Sequence, residues 1–190
     1  MRTTSITLLS LMLLALISAS ALATLPDPLQ CTFDDCLGRS PKNSSAAPSA
    51  QYVYHGTLRT SAGVPVPNYP AAQVELEITP ACANPVILNP DGPSDANGNI
   101  IWGVDTLNQG GGACEGPAIA AIRVNAQYFY TLDDVRSPDG DGDTFVALSD
   151  LQAWQVAFVN QTPVHVGDLD CDTFIALSDL SLWQKHFVAP

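Results

Sequence analysis

Two stretches near the end of the chain space their carboxylates as a hard cation needs them. Asp139, Asp141, Asp143 and Asp150 stand at positions 1, 3, 5 and 12 of the first run, and Asp168, Asp170, Asp172 and Asp179 repeat those positions in the second. A calcium ion takes roughly six to eight oxygens, and carboxylates on alternate residues of a tight loop converge on one centre while a helix start holds the last. The backbone carbonyls of Phe145 and Phe174, at position 7, add one oxygen to each set. With Asp150 and Asp179 binding through both oxygens, each loop offers six protein ligands, and water completes the shell beside Ala147 or Ala176. The expectation is two calcium ions; magnesium, which sheds its water reluctantly, fits worse.

The two runs belong to one internal repeat. Residues 139–158 align without a gap to residues 168–187, an offset of 29, which marks a duplicated supersecondary unit. After each loop the apolar spacing becomes helical, with Leu151, Trp154 and Phe158 in one copy and Leu180, Trp183 and Phe187 in the other. These stripes are expected to face each other, with both tryptophans in the core. Val146 and Ile175, at position 8, are expected to pair as a short bridge between the loops.

The segment 135–187 resembles the dockerin module, in which two calcium loops, each followed by one helix, dock onto cohesin domains. The resemblance implies a small all-α C-terminal domain and a cohesin-like or other surface partner. It also implies partner contacts at positions 10 and 11, here Leu148, Ser149, Leu177 and Ser178. Dockerins often end secreted polysaccharide-degrading proteins, so polysaccharide is a further partner class it suggests. The sequence departs from the family at position 6, where Gly is usual and Thr144 and Thr173 stand. A positive φ there costs threonine roughly 1–2 kcal/mol.

Upstream, residues 51–133 alternate with period two, most clearly in Val74-Glu75-Leu76-Glu77-Ile78. Further alternation runs through Tyr52, Tyr54 and Leu58; Ile100, Trp102 and Val104; Ala120, Ile122 and Val124; and Tyr128, Tyr130 and Leu132. Turn formers separate these runs, among them Asp91-Gly92-Pro93 and Asn97-Gly98. Short strands with such punctuation predict an antiparallel β-sandwich, and the turns resemble those of immunoglobulin-like modules of secreted bacterial proteins. The expected fold class is therefore multidomain, β plus α: an immunoglobulin-like sandwich, then an all-α pair of calcium loop-helix motifs over 135–190.

The first residues read as an export signal over 1–23, with Arg2, an apolar run from Ile6 to Ile17 and a small-x-small site at Ala21-Leu22-Ala23. That run is too short to span a bilayer, so no membrane span is expected after cleavage and the protein is expected to be secreted. Residues 24–50, rich in Pro, Ser and Ala, read as a linker or extension. An exported chain meets an oxidising compartment. Of the five cysteines, Cys31 with Cys36 and Cys82 with Cys114 are the pairs closest in sequence, which leaves Cys171 over. Asn43-Ser44-Ser45 and Asn160-Gln161-Thr162 fit the glycosylation pattern.

The formal charge of −12, with no cluster of Lys or Arg, excludes nucleic acid as a partner class. No catalytic constellation is found: His55, His165 and His186 are scattered, and no nucleophile elbow or zinc-protease motif occurs. Glu75 and Glu77 fall on the polar face of one strand rather than across a cleft. The expected function is a non-enzymatic calcium-dependent tether. The alternatives are an adhesion or structural protein that calcium merely staples, and a small carbohydrate-binding or carbohydrate-active protein.

Overall fold

A computed structural model of the chain describes residues 25–39, 52–79, 85–107 and 111–187. The expected signal segment, the glycosylation pattern at Asn43, Cys82 and residues 40–50 of the expected linker lie outside the described residues.

The strands are β1 (Thr32–Phe33), β2 (Leu37–Gly38), β3 (Tyr54–Thr57), β4 (Val74–Ile78), β5 (Ile87–Leu88), β6 (Asn99–Trp102), β7 (Cys114–Val124) and β8 (Gln127–Arg136). The helices are α1 (Val104–Leu107), α2 (Leu148–Asn160), α3 (Val164–Gly167) and α4 (Leu177–His186). Alternation places β4 as expected: Val74, Leu76 and Ile78 are buried while Glu75 and Glu77 face outward. Both glutamates reach Arg123 on the neighbouring strand, at 3.7 and 2.9 Å. Val104, expected inside a strand, instead opens α1.

The expected fold class is overturned. The protein is mostly β, with a curled half-barrel sheet in place of an immunoglobulin-like sandwich. One sheet has the order β1-β3-β6 and the other β2-β8-β7-β4-β5. The long β7–β8 hairpin dominates the larger sheet. Its turn residues, Asn125 and Ala126, both take positive φ, of 50° and 62°, the two-residue turn that suits the twist of paired strands. Register shifts between Glu115 and Ala120 and between Ile122 and Arg123 add the bend that lets such a sheet curl. At its edge β2 joins β8 in parallel, Leu37 opposite Val135, which an all-antiparallel sandwich does not allow.

The all-α C-terminal pair does not fit either. The buried apolar residues of the loops and helices fall into two small clusters, Val146 with Leu169, Leu182 and Trp183, and Trp154 with Ala157 and Ile175. The helices are instead tied to the sheet. Ala113 donates its N–H to the carbonyl of Asp139, Arg136 at the end of β8 pairs with Asp168, and the Tyr52 ring meets His186 edge-on at 5.2 Å.

A disulfide joins Cys36 to Cys171. This replaces the expected pairing of Cys31 with Cys36, and Cys31 is a free thiol. The cause is topological: β1 pairs in the smaller sheet and β2 in the larger, so the chain between them carries Cys36 away from Cys31 and towards the C-terminal loops. Cys114 is disulfide-bonded; Cys82, its expected partner, lies outside the described residues.

Candidate metal centre

Loop 1 leaves the end of β8 and runs from Asp139 into the first turn of α2; loop 2 leaves α3 and runs from Asp168 into α4. Each bends sharply at position 6, where Thr144 and Thr173 take φ of +79° and +76°. The turn geometry expected of glycine is therefore kept by threonine in both copies.

Most of the hydrogen bonds recur in the two loops, the exception being the first donor to position 1, which is the position-4 residue in loop 1 and the position-5 residue in loop 2. Asp139 accepts N–H groups from Gly142 at 2.8 Å and Thr144 at 3.0 Å; Asp168 accepts from Asp172 at 3.1 Å and Thr173 at 2.8 Å. At position 5, Asp143 accepts from Phe145 and Asp172 from Phe174, both at 2.8 Å. These bonds curl each loop around its carboxylates. Ligand oxygens of Asp139, Asp141 and Asp143 lie within 4.8 Å of one another, and those of Asp168, Asp170 and Asp172 do likewise. Three like charges this close repel one another unless a proton or a cation intervenes.

Position 12 behaves differently. Asp150 takes N–H groups from Gly140, Asp141 and Ala147, and Asp179 takes them from Leu169, Asp170 and Ala176. Both are the third residue of their helix and return a bond to the residue before it, which is half of a capping box. Ala147 and Ala176 have no side-chain oxygen to supply the other half. The position-12 carboxylates thus close each loop onto its helix, and neither belongs to the three-oxygen cluster.

Burial grades each loop from a deep end to an open one. Asp139, Asp150, Asp168 and Asp179 are buried, whereas Asp141, Asp143 and Asp172 are exposed and Asp170 is half-buried. Burial pushes the Asp139 carboxyl up to about 6, against the N–H bond from Thr144. Burial likewise raises Asp150, Asp168 and Asp179 above the ordinary carboxylate range. Groups arranged in this way gain by binding a divalent ion, which keeps them ionised out of water.

The remaining expected residues fall around the rim. Leu148 and Leu177 open their helices as residues 67% and 69% exposed, and Phe145 and Phe174 are also exposed. Ser149 and Ser178 are exposed beside them. A shallow apolar groove runs between Phe145, Leu148 and Phe187. Trp154 and Trp183 are core residues; Trp154 stacks on Phe158 of its own helix at 5.1 Å, and Trp183 meets Phe187, just past its helix, in a tilted contact at 5.0 Å. Among the described residues, Val146 and Ile175 form no bridge. They exchange partners instead, Val146 packing with Trp183 of the second helix and Ile175 with Trp154 of the first.

Four features at the centre are missing from the sequence-based expectation: Arg136 on Asp168, the buried Arg39 near Asp139, Tyr52 near Asp170 and Asp179, and the disulfide at Cys171. Cys171 held one usable signal, since it stands at position 4, where loop 1 has Gly142. It takes φ of +65° there, as Gly142 takes +77°. A β-carbon is strained in that conformation, which marks the residue as present for its sulfur.

No protein family, no curated protein and no solved structure matches the chain.

Proposed function

We propose that this protein is an exported, non-catalytic binding protein that holds two calcium ions, one in each acidic loop, and docks through the exposed helix starts beside them. The observation that carries the reading is the duplication of one oxygen arrangement: two clusters of three carboxylates, curled by matching N–H bonds from positions 6 and 7 and by the same positive-φ threonine. Carboxylates that crowd in this way, with the position-1 member buried, are stabilised by a resident cation. The all-oxygen donor set favours a hard ion, and the loop spacing favours calcium over magnesium.

The docking part rests on Leu148 and Leu177, large apolar side chains left in solvent at equivalent places in the repeat. A calcium ion beneath each would fix the helix start that presents it. The partner class is a cohesin-like or other surface-anchored protein domain. The export signal expected at residues 1–23 agrees with a chain that uses a disulfide and binds calcium at the high concentrations found outside cells.

Calorimetric titration of the chelator-treated chain with calcium chloride tests the base of this reading. Two ions should bind and raise the melting temperature, and Asp141→Asn with Asp170→Asn should abolish both effects. These residues sit at the outer part of the loops, so the double variant should still fold. Absence of heat and of any thermal shift in millimolar calcium would sink the proposal. Docking is checked by retention of the chain on an immobilised cohesin domain in calcium but not in chelator.

A further inference from the structure

We infer that the two loops are unequal cation sites, and that Arg136 is a built-in counter-ion that weakens the second; the inference rests on the calcium reading above. The loops match in sequence at every acidic position, but their deep ends differ. Asp168, at position 1 of loop 2, is fully buried and receives the Arg136 guanidinium, which bonds one carboxylate oxygen and also reaches the Asp168 carbonyl at 3.3 Å. Arg136 is itself only 7% exposed. A cation of the chain is thus already seated at the carboxylate that begins the ligand set. Tyr52 is a second, independent observation here: its hydroxyl is buried without a hydrogen-bond partner, in the field of Asp179 and Asp170.

Asp139, the equivalent residue of loop 1, is equally buried but has no side-chain cation bonded to it among the described residues. Its nearest arginine in effect is Arg39, which feels the Asp139 charge yet makes no hydrogen bond from any guanidinium nitrogen. Loop 1 therefore meets an incoming ion with its position-1 charge uncompensated at contact distance, whereas loop 2 must first give up an ion pair. Arg136 has somewhere to remain when that happens. Its Nε and Nη2 both lie 2.8 Å from the Asp134 carboxylate on the same strand, so the guanidinium can release Asp168 and keep a partner. A buried positive charge left beside a divalent ion still opposes it; Arg39 does so at loop 1 as well, so the loops differ in the bond to position 1 that must be broken. The arrangement makes Arg136 the residue that sets the affinity of loop 2.

Calorimetry on the full chain with calcium chloride as the only probe decides this. The intact chain should bind in two steps separated by on the order of tenfold or more. Asp170→Asn should remove the weaker step and Asp141→Asn the tighter one. Arg136→Gln, with its fold checked by circular dichroism, should tighten the weaker step by on the order of tenfold. Two equal steps, or loss of the tighter step in Asp170→Asn, would overturn the inference while leaving the calcium reading intact. So would an Arg136→Gln protein that folds and keeps its second step unchanged or weaker. If Arg136→Gln does not fold, the order of loss in the two aspartate variants still decides. No calcium binding by the intact chain would overturn both readings together.

Discussion

At the scale of single residues, the strongest tension lies in Thr144 and Thr173, whose φ values of +79° and +76° fall where a β-carbon crowds the backbone. That conformation costs a β-branched residue roughly 1–2 kcal/mol, and glycine adopts it freely. Glycine also makes the unfolded chain more flexible, which returns roughly 0.5–1 kcal/mol of the difference. Thr173→Gly should therefore stabilise the protein by up to about 1 kcal/mol, read as a raised midpoint of chemical denaturation in chelator. A clear loss of stability would show that the threonine side chain contributes more than the backbone loses. The need for positive φ is legible in the sequence, because position 6 of a loop with this acidic spacing is a turn. The role of Arg136 is not: an arginine three residues ahead of loop 1 gives no sign that it serves loop 2, 32 positions beyond it.

At the scale of elements, the repeat packs by exchange. Each position-8 residue inserts beside the tryptophan of the other copy's helix, and α3 supplies the wall that holds Ile175 in place. Gly167 ends α3, and a β-carbon there would lie 2.6 to 2.9 Å from three side-chain atoms of Ile175. The same residue's carbonyl accepts the indole N–H of Trp154 at 3.2 Å. Gly167→Ala should push Ile175 out of its cluster and loosen Trp154, at a cost of about 1–3 kcal/mol. Thermal denaturation would report it, and red-shifted tryptophan emission would report the loosening. An unchanged midpoint would mean that Ile175 turns aside without cost. The elements legible in the sequence are those long enough to show a period: β4 by strict alternation, and α2 and α4 by their apolar stripes. Strands β1 and β2 have two residues each, too few for any period, and pairing them depends on tertiary contact alone. That is why a stretch that reads as linker supplies an edge to both sheets, and why the chain forms neither the sandwich nor the separate helical domain that its periodicity suggests.

For the whole molecule, the N-terminal segment, the curled sheet and the acidic loops meet at one place. Leu37 and Gly38 pair with the last residues of β8, Cys36 is bonded to Cys171 within loop 2, and Arg136 reaches from the strand end into that loop. Occupancy of the loops should therefore be felt as stability of the whole described chain rather than of two helices. The sign of its pH dependence follows from the buried carboxylates. Burial raises Asp139 from 3.8 to about 6 and raises Asp150, Asp168 and Asp179 in the same direction. A raised carboxyl means that the folded, metal-free chain holds its proton more tightly than the unfolded chain does. Its contribution is thus present at low pH and lost as pH rises through the folded value, about 6 for Asp139. Calcium bound as proposed would act in the opposite sense, since its ligands must be ionised and protons compete with it. His186, which burial holds down to about 4, destabilises the fold as pH falls below 6.5, but it does so with or without the ion and cancels in the difference. The gain in melting temperature between saturating calcium and chelator should therefore be large at about pH 7.5 and shrink steadily towards about pH 5.5. Scanning fluorimetry at matched ionic strength reads that difference directly. A gain that stays constant or grows on acidification would show that the buried aspartates are not the groups that hold the ion.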